Sequence, residues 1–311
     1  MKNFLSVVVF TFAIFANGTL PPEGSVSPVK VLEVPGYSEG VVFDRAGTAY
    51  ISDTYHGTIY SVTADGRAKV WAKTGAPNGH KILADGTHLV CDGSQRAVLR
   101  LDAKGRVLGK ASSECDGKPL RAPNDLTLDP QGGFYFTDPG GSGEKNPTGT
   151  IHYVDAQGKT HLAAEGLAFP NGIVLRPDGK ILLVGESGHN RILSYEVLAP
   201  GKLGKMDVFA DLPVKEGDQI ANAPDGMCLD RDGNLFVAHY GMRQVQVLSP
   251  MGKILRRYPG GNLTTSNVAF GGPRMDQLYV TGALGDEKTS RGALFRLNLK
   301  GAAGLKILPG K

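Results

Sequence analysis

Six polar residues recur at one phase of this 311-residue chain: Glu39, His80, Asn124, Asn171, Asp225 and Asn267. Each stands at the start of a short apolar–polar run, and they follow one another at spacings of 41, 44, 47, 54 and 42 residues. Asn–Gly and Asp–Gly pairs such as Asn171-Gly172 and Asp225-Gly226 also shape turns, so any one of them alone would pass as structural. Six polar residues out of six, Glu and His included, argue for a site. Carboxylates brought together in a buried place repel and take up protons unless a cation lies between them. Carboxylate and carboxamide oxygens suit a hard divalent ion, Ca²⁺ or Mg²⁺, over softer metals. The expectation is therefore one divalent cation, Ca²⁺ first, with Mg²⁺, Mn²⁺ or Zn²⁺ as substitutes; the lone imidazole of His80 is weak support for zinc. An ion with few protein ligands keeps positions for water and substrate, which is the condition for Lewis-acid chemistry.

Residues so far apart need a repeating scaffold to meet. Six segments supply one: "EGVVFDRAGTAYISD" from Glu39, "HKILADGTHLVCD" from His80 and "NDLTLDPQGGFYFTD" from Asn124. "NGIVLRPDGKILLVGE" from Asn171, "DGMCLDRDGNLFVAH" from Asp225 and "NVAFGGPRMDQLYVT" from Asn267 complete the set. Each reads as an alternating strand, a glycine-containing turn and a more apolar strand. A third strand follows in most copies, as in "GTIYSVTADG" and "AVLRLDAKG". Multi-stranded repeats at this spacing are the mark of β-propeller blades. The expected fold is all-β: a six-bladed β-propeller formed by residues 19–311 as one domain. First strands lie nearest a propeller's axis, so the six residues should ring one end of the channel. "VKVLEVP" at 29–35 is expected to complete the last blade and close the ring, removing exposed edges.

Composition agrees. The chain is 41% hydrophobic and 21% charged with a net charge of +4 and no basic run, so it carries no nucleic-acid footprint. Its 43 glycines and 19 prolines suit a fold of many turns. Lys2, the apolar stretch Phe4 to Phe15 and Ala16-Asn17-Gly18 read as a signal peptide over 1–18, which predicts an exported, periplasmic or secreted protein. The apolar stretch is too short to span a bilayer, and no membrane association is expected after cleavage. Cys91, Cys115 and Cys228 are odd in number and lack metal-ligand spacing. Cys91 and Cys228 fall in apolar strand patterns and read as buried thiols. A Cys91–Cys115 bridge is the one pairing an exported chain leaves open. "NLT" at 262 is a glycosylation sequon, meaningful only in a eukaryotic secretory host.

The blocks "YSEG", "APNDLTLDPQGGFYFTDPGG", "FPNGIVLRPDGK", "PDGMCLDRDGNLFVAHYG" and "TSNVAFGG…LYVTGA" resemble the gluconolactonase/regucalcin (senescence marker protein) family over about residues 35 to 298. The resemblance implies a six-bladed propeller with a divalent cation at one channel end and hydrolysis of sugar lactones as its activity. It implies Glu39, Asn171 and Asp225 as metal ligands, with Asp225 also the catalytic proton donor or acceptor. Asn124 is implied to contact the substrate. Regucalcins carry an Arg two residues before that Asn, where this chain has Ala122 and places Arg121 one step further off. On this reading Asn124 and Asn267 orient sugar hydroxyls, Arg121 is a displaced substrate clamp, and His80 and His239 assist proton transfer. His239 reads equally well as a strand-end packing residue, Asp138 as a turn anchor, and Trp71 as core. Two further readings share the ring: an organophosphate or aryl-ester hydrolase on the same cation, and a calcium-stabilised binding propeller without catalysis.

Overall fold

Alternating β-rich runs joined by tight turns can hide their apolar faces only by stacking sheet on sheet. In the computed structural model, which describes residues 20–285 and 291–305, the repeats fold into six four-stranded antiparallel sheets. Of the described residues 56% are strand and 2% helix, arranged as a six-bladed β-propeller. The inner strands are Ser38–Phe43 in blade 1, Pro77–Ile82 in blade 2 and Leu126–Leu128 in blade 3. Pro170–Leu175, Ala223–Leu229 and Thr264–Gly271 serve blades 4, 5 and 6. The ring closes as the sequence suggested: Val29–Val34 pairs with Gly292–Asn298 and becomes the outer strand of blade 6. Residues 1–18, read as a signal peptide, lie outside the described residues.

The turns follow from their sequences. After the first inner strand, Asp44 Oδ1 accepts the Ala46 and Thr48 amides at 2.9 and 2.8 Å, and Gly47 takes φ 85°. A β-carbon disfavours that conformation, so the turn needs its glycine. Asp230 and Gly233 repeat the device in blade 5, with Asp230 Oδ1 taking the Asp232 and Asn234 amides.

Six apolar clusters fill the six interfaces between neighbouring blades. Each blade therefore contributes side chains to two interfaces. Truncating a core leucine such as Leu99 or Leu235 would cost about 2–5 kcal/mol. Trp71 is only partly buried; it packs on Tyr50 and His88 and donates to the Ala103 carbonyl. All three cysteines are free thiols, so no Cys91–Cys115 bridge forms. Cys115 sits in a short hairpin, Glu114–Cys115 with Lys118–Pro119, and its thiol faces the Thr160 carbonyl. The sequon residue Asn262 is buried and donates to the Val280 and Ala293 carbonyls, which leaves no room for a glycan.

Candidate functional site at the channel end

Second strands end beside the segments that enter the inner strands, and an acid there holds the entrance. Asp53 accepts the Gly36 amide, Asp92 those of Gly75 and Ala76, and Asp138 those of Arg121 and Ala122. In blade 4, Glu186 accepts the Ala168 amide at 2.9 Å. Burial raises the Asp92 carboxyl's proton affinity, but its backbone hydrogen bonds outweigh that and hold its pKa below the ordinary value. The same balance holds Glu186 low, helped by Arg191 and His189. Three residues after the first anchored amide of each blade stand Glu39, Asn78, Asn124 and Asn171. The backbone anchors thus define one register, and Asp138 is the strand-entrance anchor its sequence suggested.

That register corrects the sequence reading twice. In blade 2 the ring residue is Asn78, not His80. Asn78 belongs to "PNG", like Asn171, and to "APN", like Asn124. His80 lies two residues further into the strand and is 1% exposed. Its Nε2 lies 2.8 Å from His88 Nδ1, and its ring packs with Tyr50 and Trp71. Burial, then the neighbouring His88, push its pKa well down, so it stays neutral and away from the ring.

In blade 6 the ring position falls on Ser266. Val268 pairs with Val280 after a bulge, as Met227 pairs with Val237 in blade 5, and this places Ser266 level with Asp225. Asn267 is one residue on, level with Asp125. Both spend a side-chain oxygen on the next amide: Asn267 Oδ1 takes Val268 N at 2.9 Å and Asp125 Oδ1 takes Leu126 N at 2.8 Å. Asn267 is 4% exposed, with its Nδ2 3.5 Å from Glu39 Oε2. Its side chain is thus spent on the Val268 amide and the Glu39 carboxylate, so it supports a ring residue and is not one itself.

The remaining members do converge. At the position after the ring residue, four blades carry glycine, and a β-carbon there would collide with the next blade. On Gly40 it would strike the Asn78 carbonyl oxygen, on Gly172 that of Asp225, and on Gly226 the Asn267 side chain. Gly79 N–H donates to the Asn124 carbonyl at 2.8 Å, Thr137 Oγ1 to that of Asn171 at 2.8 Å, and Ser266 Oγ to that of Ser38 at 2.7 Å. These contacts carry the ring through all six blades and bring Glu39, Asn78, Asn124, Asn171 and Asp225 to one channel end.

Glu39, Asn171 and Asp225 are all buried, at 3%, 7% and 5% exposure. Asn171 Oδ1 is buried and has no hydrogen-bond partner among the described residues. An orphaned buried acceptor costs about 1–3 kcal/mol unless something satisfies it, so this oxygen fits a cation ligand. Among the described residues, no three His, Cys, Asp or Glu side chains are grouped to hold a metal. A cation here would rest on mixed carboxylate and carboxamide oxygens, the donors calcium accepts. Beside the ring, Thr54, Asn78, Asn124 and Phe169 line a cavity of about 150 Å³.

Two predicted residues fall away from the ring. Arg121 turns its guanidinium to the Thr148 hydroxyl at 3.0 Å and to the Thr148 carbonyl, so the displaced clamp holds a rim loop. His239 is 0% exposed and occupies the strand-end position that Asp53, Asp92, Asp138 and Glu186 hold elsewhere. Its Nε2 lies 2.8 Å from Asn190 Oδ1, and its Nδ1 3.1 Å from Gln246 Nε2. Asn190 Nδ2 already donates to the Leu212 and Pro213 carbonyls, so its Oδ1 is the acceptor and the His239 proton sits on Nε2. Burial lowers its pKa to about 3. With both nitrogens engaged, His239 is a packing residue and takes no part in proton transfer.

Comparison with known proteins places the sequence and the fold in one family. Residues 37–284 match the SMP-30/Gluconolactonase/LRE-like region family. A Lactonase drp35 of Staphylococcus saprophyticus is 32% identical over 256 residues, 78% of this chain and 77% of the relative. A gluconolactonase of Zymomonas mobilis is 30% identical over 207 residues, covering 62% of this chain and 57% of that protein. Among solved structures, a Xanthomonas campestris gluconolactonase superposes with TM-score 0.76 at 24% identity, covering 93% of both chains. The calcium-binding protein regucalcin of Agrobacterium tumefaciens gives TM-score 0.75 at 24% identity, covering 91% of this chain and 97% of its own. By ring, fold and sequence together, the chain belongs to the SMP-30/gluconolactonase/LRE-like family.

Proposed function

We propose that this protein is a lactone hydrolase, opening a sugar lactone at one divalent cation held by Glu39, Asn171 and Asp225. The observation that carries the metal reading is the buried, partnerless Asn171 Oδ1 in a ring that also holds two buried carboxylates. The names of its relatives, lactonase and gluconolactonase, support the bond that is broken. The regucalcin neighbour, described as calcium-binding, supports Ca²⁺ as the ion.

When bound, the cation supplies Lewis-acid polarisation of a carbonyl, a contribution of several kcal/mol to transition-state stabilisation. The protein's own part is binding, orientation and proton transfer. Asp225 takes the proton of the attacking water and returns it to the leaving ring oxygen, the role a carboxylate beside the reacting bond can fill. Asn267 holds the Glu39 carboxylate from the side of blade 6. Asn124 meets the substrate at the cavity beside the ring. Residues 1–18 export the chain, so the reaction takes place in the periplasm or outside the cell.

The test is acid release from glucono-1,5-lactone at about pH 6.5 by wild type and Asp225→Ala, with EDTA and then with Ca²⁺, Mg²⁺, Mn²⁺ or Zn²⁺ restored. Turnover that needs metal and disappears in a folded Asp225→Ala protein is the expected result. Metal binding without turnover of any lactone would overturn the reading in favour of a phosphoester or aryl-ester hydrolase or a binding propeller.

A further inference from the structure

We propose that Asn78 and Asn124 act as a pair of amides that recognises two neighbouring hydroxyls of the substrate, which makes Asn78 a specificity-determining residue. The inference rests on the lactone reading above and names the kind of lactone the cavity selects.

Asn78 enters the site by register. It follows the Asp92-anchored Gly75 by three residues, as Asn124 follows the Asp138-anchored Arg121. Asn78 lies on the blade 2 inner strand and Asn124 two residues ahead of the blade 3 inner strand, and the Gly79 N–H to Asn124 carbonyl bond of 2.8 Å joins the two segments. Ser52 Oγ fixes the Asn78 carbonyl from the other side at 2.9 Å. Both backbones are therefore tied down, and both residues line the 150 Å³ cavity.

The amides themselves are uncommitted: neither the Asn78 nor the Asn124 side chain hydrogen-bonds another described residue. Other asparagines of the fold, such as Asn190 and Asn234, spend theirs inside the protein. The rest of the cavity wall is glycine, alanine, proline and Phe169, plus Thr54, whose hydroxyl already donates to the Pro77 carbonyl. A hydroxylated ligand thus finds its side-chain partners in these two amides. Each offers a donor and an acceptor, which matches a hydroxyl, and neither carries charge that would compete for a cation. Two such groups from neighbouring blades, facing one small cavity, suit two hydroxyls of one substrate ring. A site built to hydrogen-bond a substrate hydroxyl rejects the analogue that lacks it.

The experiment compares kcat/KM for glucono-1,5-lactone and for δ-valerolactone, which has the same ring without hydroxyls, in wild type and Asn78→Ala. Loss of one neutral hydrogen bond should lower the preference for the hydroxylated lactone about tenfold, with δ-valerolactone turnover unchanged. An unchanged preference, or an equal fall for both substrates, overturns the proposal and leaves the lactone reading standing. Melting curves of Asn78→Ala and the milder Asn78→Ser restrict the comparison to folded protein. If wild type opens no lactone at all, the lactone reading fails and calorimetry with gluconate decides Asn78. Binding about tenfold weaker in Asn78→Ala sustains its role, whereas equal binding, or none to wild type, overturns it.

Discussion

Gly172 lies so near Asp225 that a β-carbon on the glycine would overlap the Asp225 carbonyl oxygen. Blades 4 and 5 meet through bare backbone at the level of the proposed metal ligands. Gly172 has no left-handed φ, so the constraint is contact and not strain. Gly172→Ala must therefore push Asn171 and Asp225 apart. Overpacking of this kind costs about 1–3 kcal/mol, a fall of roughly 2–4 °C per kcal/mol in Tm for a chain this long. Metal affinity should fall with it. Gly24, with nothing within 4 Å of its β-position, is the control, and Gly24→Ala should change neither property. Melting curves with and without Ca²⁺ on both variants check this.

Those glycines also show how much of the site could be read from sequence. Ring residue and turn glycine stand eight apart in five blades: Glu39 and Gly47, Asn78 and Gly86, Asn124 and Gly132, Asn171 and Gly179, Asp225 and Gly233. Hairpin chemistry therefore carried the fold and four of the six positions. It failed at His80 because a metal-capable side chain outweighed the eight-residue spacing and the shared Pro-Asn-Gly that both pointed to Asn78. It failed at Asn267 because blade 6 has a longer turn, with Met275 in the left-handed region where the other blades have glycine. Burial was legible for apolar strand residues such as Cys91 but not for the polar ones. His239 and Arg121 looked reactive by type, and only their partners, Asn190, Gln246 and Thr148, reveal that they are spent on structure.

Asp138 should matter to activity without touching substrate. It accepts the Arg121 amide at 2.8 Å and the Ala122 amide at 2.6 Å, and so sets the approach to Asn124. Asp138→Ala leaves two amides of a half-buried segment without their acceptor, a loss of about 1.5–3 kcal/mol for a charge-assisted bond. The expected kinetic signature is a several-fold rise in KM for the lactone with a smaller change in kcat. Steady-state kinetics beside a denaturant titration would separate this from global destabilisation; an unchanged KM in a less stable protein would refute the anchoring role.

The buried histidines predict acid sensitivity with a definite sign. Burial lowers the pKa of His239 to about 3 and of His88 to about 4. In the unfolded chain both titrate near 6.5. Their neutral folded forms contribute stability that is present above pH 6.5 and is lost as pH falls toward the folded values. At pH 4.5 the fully buried His239 alone should cost about 3 kcal/mol relative to pH 7.5. His239→Gln cannot take up that proton, so its urea midpoint should fall less between pH 7.5 and 4.5 than that of wild type. An identical fall in both proteins would remove His239 from the account.

Asn171 separates a metal site from a cluster of polar residues. Without an ion, its buried Oδ1 is an unmet acceptor, and Asn171→Ala should be nearly neutral because the lost unsatisfied group offsets the lost packing. With an ion, the same oxygen is a ligand, and binding to the folded state alone adds stability as RT ln(1 + [L]/Kd). That amounts to about 2.7 kcal/mol at a hundredfold excess over Kd. Wild type should therefore gain several degrees of Tm on adding Ca²⁺ and lose them on adding EDTA. Asn171→Ala should need at least tenfold more Ca²⁺ for the same gain, and Asp225→Ala should gain nothing. If all three proteins melt at the same temperature with Ca²⁺ and with EDTA, the ring does not hold that ion, and the Asn171 oxygen must be satisfied by water entering from the channel.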